Sequence, residues 1–159
     1  MLKLRDIENC KLKFKNDNGV HDIELKELIE NKNIIIFGVP GAFTSTCSAK
    51  HLPSYVNNYK EIFSLGISDI ICVSVNDPFV MHAWGEFSNA NEHIKMMSDI
   101  GGCLARKMEI LSDFGPNLLM RMKRFAMIIK NNEIKEYIID EKGDYGKTSA
   151  ENIISLLKK

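Results

Sequence analysis

The sequence lacks the features that mark membrane-spanning, metal-binding and nucleic-acid-binding proteins. None of its apolar runs approaches the roughly 20 residues that a membrane-spanning helix needs. It has no CxxC pair, and its four cysteines and four histidines are not at zinc-finger spacing, which argues against a structural metal site. Lys plus Arg and Asp plus Glu number 21 each, so a nucleic acid or an anionic membrane is not an expected partner.

A secretory signal is also missing, because the first residues, MLKLRDIENC, are already polar. We therefore expect the cysteines to be free thiols in a reducing compartment. The expected location is the cytoplasm, with an organelle as the alternative if a targeting segment has been removed.

What the sequence does contain is the pattern of one α/β domain over residues 1–159. It is 45% hydrophobic and 26% charged, as globular chains are, and no linker or repeat divides it. An N-terminal β-hairpin is followed by alternating strands and helices, a second hairpin and a last helix. This order predicts a mixed central sheet flanked by helices. A thioredoxin-like fold fits it, although periodicity alone does not separate that fold from other α/β sandwiches.

The elements are predicted from turn residues, prolines and hydrophobic periodicity. The first hairpin turns at Asn18-Gly19. The other predicted elements are strands over 34–37, 69–75 and 93–99, a helix from about Thr46 to Tyr59 that Pro53 should kink, a helix from Pro78 to Phe87 capped by Asp77, a helical segment over 101–108, a hairpin of 124–130 and 133–140, and a final helix behind a capping box of Thr148 and Glu151.

The stretch Pro40-Gly-Ala-Phe-Thr44-Ser-Thr-Cys47 lies where a buried strand ends and a helix begins, a place where ligands bind in open α/β sheets. A cysteine in a first helical turn faces unpaired N–H groups and the positive end of the helix dipole, and both favour the nucleophilic thiolate. Thr44 is placed to aim its hydroxyl at the sulfur or at a bound oxygen, and Pro40 to wall the site without a competing donor. The same pattern also fits a buried structural cysteine, with Thr44 as a cap and Pro40 as a turn residue.

The segment FGVPGAFTSTCSAKHLPSY resembles the active-site segment of the peroxiredoxins, whose Pro-x-x-x-Thr-x-x-Cys signature is present as Pro40, Thr44 and Cys47. It is most similar to the type II, or peroxiredoxin-5-like, subfamily, and three further blocks agree: ICVSVNDPFVMHAWG, MKRFAMIIKNNEIK and NIIS. The resemblance implies a thioredoxin-like fold and a thiol peroxidase without cofactor or metal. It also implies that hydrogen peroxide or a small organic hydroperoxide converts Cys47 to a sulfenic acid, and that the protein is a homodimer, with Phe43 and Phe79 as candidates for its surface.

The resemblance further implies which groups stabilise the reacting oxygens. These are the Cys47 N–H, the Thr44 hydroxyl and an arginine, which we assign to Arg124 in KRFAM. The rival is Arg121, which we interpret as a solvated charge before the strand. His51, one turn after Cys47, is interpreted as a packing or capping residue, and the alternative is a hydrogen bond within the site or a role as a base.

The route by which the sulfenic acid is reduced is the point where the sequence departs from part of the subfamily. Some members have a resolving cysteine before the last helix, but GDYGKTSAEN has none. Cys72 matches a cysteine of many members, and we interpret it as a packed core thiol, with a resolving role as the alternative. Cys10 and Cys103 have no motif around them and are interpreted as incidental. Glutathione with glutaredoxin is therefore the expected reductant, and thioredoxin is the alternative.

Two other functions remain as alternatives to a peroxidase. A peroxide-sensing relay protein would use the same Cys47 and pass its oxidation to a partner. A thiol–disulfide oxidoreductase is disfavoured, because Ser-Ala-Lys follows Cys47 instead of a second cysteine two residues on.

Overall fold

A computed structural model describes residues 1–159 and has a seven-stranded mixed sheet at its centre. The strands are β1 Lys11–Asn16, β2 Gly19–Glu24, β3 Ile34–Gly38, β4 Asp69–Ser74, β5 Ile94–Ser98, β6 Leu111–Asp113, β7 Met120–Met122, β8 Phe125–Lys130 and β9 Glu133–Ile139. The helices are α1 Leu25–Ile29, α2 Leu52–Ser64, α3 Pro78–Phe87, α4 Cys103–Lys107 and α5 Ala150–Leu157, with a π turn at Cys47–His51 and 3₁₀ turns at Leu4–Asp6 and Gly146–Thr148. No helix of the structure combines the length and the apolar composition that a membrane span requires.

The order of strands in the sheet is β2-β1-β5-β4-β3-β8-β9, and β6 and β7 form a separate two-stranded ribbon. The β3–β4 and β4–β5 pairs are parallel, and the remaining pairs are antiparallel. Asn131 and Asn132 join β8 to β9 with φ of 53° and 61°, the left-handed backbone that a tight hairpin turn requires. The predicted mixed sheet, its flanking helices and the N-terminal hairpin are confirmed.

Each face of the sheet buries its own apolar core, because alternate residues of a fully buried strand point to opposite faces. In β3, Ile35 and Phe37 join a core of 21 buried residues formed with α2, α3 and α5, and we call this side the α2 face. Ile34 and Ile36 join a core of 19 buried residues formed with α1 and α4, which we call the α4 face.

The helix around Cys47 differs from its prediction. Ser45 and Thr46 are helical, the backbone widens into the π turn, and α2 continues to Ser64, beyond the predicted end. Pro53 is the second residue of α2 in a helical run that begins at Ser45, so it removes one backbone donor from the helix directly after the π turn. The irregularity is the preceding π turn, in which the Leu52 N–H donates to the Cys47 carbonyl.

The predicted capping box of α5 is wrong by one residue. Ser149, not Thr148, is the N-cap, and its hydroxyl oxygen accepts from the Asn152 N–H at 3.3 Å. The hydroxyl and the N–H of Thr148 both donate to the buried carboxylate of Asp140, each at 2.8 Å. Because its hydroxyl is used in this contact, Thr148 does not act as the N-cap.

Candidate active site

The sheet brings three separate stretches of chain to one edge. In β3, Gly38 lies between Val73 of parallel β4 and Phe125 of antiparallel β8. The carboxyl end of β3 therefore meets the carboxyl end of β4 and the amino end of β8. As a result, the segment 40–47 after β3 comes next to Arg124, the residue before β8.

Cys47 is buried in the first helical turn and has an exposed fraction of 0%. The first hydrogen bond of this helix runs from the Ser48 N–H to the Thr44 carbonyl at 2.9 Å, so the Cys47 N–H precedes the helical ladder and is available to a ligand. Trp84 of α3 donates its Nε1–H to the Ser48 Oγ at 2.9 Å, and this bond fixes the turn against the core.

Thr44 lies at the start of the helix, as predicted, but its hydroxyl does not contact the Cys47 sulfur. It donates to the Gly41 carbonyl at 2.7 Å, because that carbonyl lies three residues back at the same turn. Gly41 has to be small here. A Cβ on it would lie 2.8 Å from the Arg121 Nη1 and 3.0 Å from the Thr44 Cγ2.

Arg124 is a buried cation without a carboxylate partner. Its exposed fraction is 7%, and it takes part in none of the ion pairs of the structure. A buried charge without a counter-ion is costly, so it marks a place that a negative group can occupy. The one hydrogen bond of its guanidinium joins Nη1 to the His51 Nδ1 at 3.0 Å, and none joins it to the Cys47 sulfur.

His51 fixes that guanidinium. Its Nε2 lies 3.1 Å from the Thr148 carbonyl, which can only accept, so Nε2 carries the proton and Nδ1 accepts from Arg124. Burial, and then the Arg124 charge, lower the pKa of His51 to about 3, which keeps the ring neutral at physiological pH. The ring also packs beside Phe37, at 5.1 Å between centroids. The packing interpretation is therefore incomplete: the spacing of four residues from Cys47 was the signal that places His51 in the site.

Arg121 is not the solvated charge that we predicted. Its Nη1 lies 3.2 Å from the Pro40 carbonyl and 3.3 Å from the Asn76 Oδ1, and its Nε donates to the Leu118 carbonyl at 2.9 Å. Asn76, which sequence reasoning missed, also accepts from the Ala42 N–H at 2.8 Å. Its position just after β4, at the carboxyl edge of the sheet, is the signal that could have identified it. Arg121 and Asn76 therefore fix the loop between Pro40 and Thr44 through hydrogen bonds to its backbone.

Three of the four predicted site residues, Pro40, Thr44 and Arg124, line one cavity of about 160 Å³. Cys47 is not among its lining residues and lies in the core below the Thr44–Thr46 turn. The opposite rim is formed by residues 140–143. Because ordinary ligand pockets enclose roughly 300–1,000 Å³, this cavity suits a very small ligand.

Cys72 lies on the α2 face as well, in the middle of β4 opposite Phe37. Burial, and then the neighbouring Cys47, raise the pKa of Cys72 well above its usual value, whereas Arg124 lowers it. Cys72 therefore carries its proton at neutral pH, as the interpretation of a packed core thiol requires.

Comparison with known proteins adds the family context to this geometry. The family model described as Redoxin matches residues 8–154. Peroxiredoxin-2D of Arabidopsis thaliana is 36% identical over 145 residues, which are 91% of this chain and 90% of that protein. Reduced Prx3 from Vibrio vulnificus in complex with H₂O₂ is 34% identical with a TM-score of 0.91, over 95% of both chains. The antioxidant protein of Plasmodium falciparum, described as a 1-Cys peroxiredoxin, is 30% identical with a TM-score of 0.85, over 96% of this chain and 95% of that chain. These matches confirm the predicted thioredoxin-like fold.

Proposed function

The chain belongs to the Redoxin family and, within it, to the type II peroxiredoxins, which are thiol peroxidases, and from this premise we propose that Cys47 is the sulfur that attacks the peroxide. In that step a sulfur–oxygen bond forms and the oxygen–oxygen bond breaks. Water or an alcohol leaves, and Cys47 becomes a sulfenic acid.

The observation that carries this proposal is the buried, unpaired guanidinium of Arg124. During the displacement, negative charge moves from sulfur to the leaving oxygen, and fixed donors at those positions lower the barrier. Of the five N–H donors that an arginine has, only one is used, in the hydrogen bond to His51. The others are available to a thiolate and to a peroxide without the loss of an existing ion pair.

The proposed roles of the other groups follow from their positions. The Cys47 N–H, which precedes the helical ladder, donates to the peroxide oxygen. The Thr44 hydroxyl, which now donates to Gly41, turns to donate to the same oxygen. Pro40 lines the cavity and has no N–H with which to compete. His51 and Arg121 touch no reacting atom and are positioning residues for Arg124 and for the Pro40 carbonyl.

We propose that the sulfenic acid is reduced from outside the chain, by glutathione with glutaredoxin. The segment 143–152 contains no cysteine, and Cys72 is a buried thiol whose pKa is raised by its surroundings. Thioredoxin is the alternative reductant. A reducing compartment such as the cytoplasm supplies both reductants, and a cytoplasmic location is part of the proposal.

The test is peroxide consumption by wild type, Cys47→Ser and Cys72→Ser with each reductant in turn. We expect turnover by wild type and Cys72→Ser with glutathione and glutaredoxin, and none by Cys47→Ser. After one equivalent of peroxide and glutathione, intact mass should show one glutathione on Cys47. A loss of two hydrogens that requires both Cys47 and Cys72 would instead assign the resolving role to Cys72. Consumption of a single equivalent without turnover would point to the relay protein.

A homodimer is a further part of the proposal. Phe43, Phe79 and Phe87 are 51%, 61% and 75% exposed, and the rings of Phe43 and Phe87 lie 5.7 Å apart. An exposed aromatic cluster of this kind is typical of a protein interface. Sedimentation of Phe79→Arg should show a monomer, while Val20→Arg, a matched change at an exposed position of β2, should sediment as wild type does. A dimer that persists in Phe79→Arg excludes this surface.

A further inference from the structure

The α4 face carries a second pair of cysteines, away from the site described above. The Sγ atoms of Cys10 and Cys103 lie 2.7 Å apart, although 93 residues separate them in the sequence. Cys10 is buried and Cys103 is partly exposed. Most cysteine pairs cannot form a disulfide because their backbones hold the sulfurs apart, but here the two sulfurs are already in contact.

Backbone hydrogen bonds hold both cysteines in place. The Cys10 N–H donates to the Ile7 carbonyl at 3.0 Å, and its own carbonyl accepts from the Leu25 N–H at 2.8 Å. Cys103 begins α4, whose next two N–H groups, of Leu104 and Ala105, donate to the buried Asp99 carboxylate at 2.9 Å each. The sulfur contact is therefore fixed by two ordered segments rather than by mobile ends.

The surroundings of the pair fit a dithiol better than a metal site. No group of three or more His, Cys, Asp or Glu side chains comes together in the structure, and two sulfurs alone do not hold a metal ion. Burial, and then the hydrogen bond with Cys103, raise the pKa of Cys10 to about 12, so the Cys10 thiol is protonated at neutral pH. Cys103 is the more exposed of the two and is the sulfur that a dissolved oxidant reaches first.

We propose that Cys10 and Cys103 form a second redox site, a dithiol that hydrogen peroxide converts to an intramolecular disulfide without Cys47. The Cys103 sulfur attacks a peroxide oxygen, the oxygen–oxygen bond breaks, and water leaves, which gives a sulfenic acid on Cys103. The Cys10 sulfur then attacks the Cys103 sulfur, and the hydroxyl leaves with the Cys10 proton as a second water. One peroxide is reduced to two waters, and two thiols are oxidised to one disulfide.

The bond would link two parts of the fold that the sheet joins weakly. Cys10 directly precedes β1, and β1 meets β5 at one residue pair, Lys13 with Ser98. Cys103 follows β5 at the start of α4. A disulfide between them ties the N-terminal hairpin to the α4 face, and we expect the oxidised protein to unfold at a higher temperature than the reduced protein.

The test is peptide mapping of reduced Cys47→Ser protein after treatment with excess hydrogen peroxide and alkylation of the remaining thiols. Trypsin releases Cys10 in the fragment 6–11 and Cys103 in the fragment 96–106. We expect these two fragments to be linked, with the loss of two hydrogens, and to separate after treatment with dithiothreitol. The link should persist when Cys72→Ser is added and disappear with Cys10→Ser or Cys103→Ser.

Recovery of both fragments as alkylated thiols, or with Cys103 oxidised to a sulfinic acid while Cys10 is alkylated, would overturn the proposal. The mapping needs no change at either cysteine, so a folding defect of Cys10→Ser cannot decide the outcome. A second measurement is the unfolding midpoint of Cys47→Ser, which should rise on oxidation and fall again on reduction. Because Cys47 is absent from these samples, the result is independent of the function proposed for Cys47.

Discussion

Each face of the sheet carries a pair of cysteines, and the groups around the two pairs differ. On the α2 face, the helical turn that contains Cys47 borders a cavity of about 160 Å³, and the guanidinium of Arg124, which has no carboxylate partner, lines the same cavity. On the α4 face, the sulfurs of Cys10 and Cys103 contact each other, and no arginine forms a hydrogen bond with either sulfur. The charged groups that act on Cys10 are Cys103 itself, then Lys107 and Asp99.

This difference shows that the chemistry of a cysteine is set by what its sulfur can reach. A sulfur beside fixed donors and a small cavity is suited to attack a peroxide. The donors stabilise the negative charge that moves from the sulfur to the leaving oxygen. A sulfur in contact with a second sulfur is suited to end as a disulfide. Cys72 is the contrasting case on the α2 face, since it lies in the middle of β4 and burial keeps it protonated.

The largest effect should come from Arg124→Lys, which removes the guanidinium but keeps the positive charge. We expect kcat/KM for peroxide to fall about 10²–10³-fold, the usual cost of losing a fixed transition-state donor. The matched control is Arg106→Lys on the α4 face, which should leave the rate unchanged. Stopped-flow peroxide reduction measures both. A rate for Arg124→Lys within threefold of wild type would contradict the assignment of Arg124.

The next effect is a pH dependence of stability that belongs to His51. The pKa of His51 is about 3 in the folded protein against an ordinary value of 6.5, so the unfolded chain binds a proton at a pH where the folded chain does not. The stability is therefore complete above pH 6.5 and is lost as the pH falls toward 3, by about 2 kcal/mol between pH 7 and pH 5.

Urea unfolding of His51→Gln at pH 7 and pH 5 tests this, since the unfolding free energy of the variant should not show the decrease that is due to His51. His82→Gln, a change at the partly exposed histidine that pairs with Glu86 on α3, is the control and should keep it. The activity of His51→Gln should also fall about tenfold, because Arg124 loses its fixed acceptor. An unchanged pH slope would show that His51 does not stay neutral in the folded protein.

A smaller effect is expected from Arg121→Leu, which removes the donor to the Pro40 carbonyl and to Asn76. Of the hydrogen bonds lost, the one to the Pro40 carbonyl bears on the site, and one hydrogen bond contributes about 1 kcal/mol, so kcat/KM should fall about fivefold. Arg121→Lys keeps a donor and should recover part of the rate, whereas a purely steric role would leave the two variants alike. Steady-state kinetics of both variants separates these outcomes.

The smallest effect should be that of Cys72→Ala. We expect turnover with glutathione and glutaredoxin within about twofold of wild type, because a buried thiol that stays protonated takes no part in the reduction of Cys47. The unfolding free energy should fall by about 1 kcal/mol as the core loses the sulfur. If turnover with every reductant collapses instead, the two α2-face cysteines act together.

The order of the elements could be predicted because proline, turn residues and periodicity are local signals. Asp77 caps α3 as expected, with the Val80 N–H donating to its carboxylate at 2.9 Å. The single-turn helix α1 and the short β6–β7 ribbon were missed, because elements this short have no measurable period. The cap of α5 was misplaced because Asp140, which is distant in sequence, competes for Thr148.

The part of the candidate site that could be predicted is the set of residues that match the family's sequence motifs. Pro40, Thr44 and Arg124 share one cavity, with Cys47 in the turn beneath it. The supporting contacts could not be predicted, because each depends on which strands are neighbours. Arg121 reaches Pro40 across 81 residues of sequence, and Cys10 reaches Cys103 across 93. No local pattern encodes such contacts.

The most direct test of the account is to trap the first oxidation product. Reduced protein receives less than one equivalent of hydrogen peroxide in the presence of dimedone, which reacts with sulfenic acids, and the labelled peptide is identified by mass spectrometry. We expect the label on Cys47 in wild type and a much slower appearance of that label in Arg124→Lys. A label that appears first on Cys103 or Cys72, with Cys47 still a free thiol, would contradict the account.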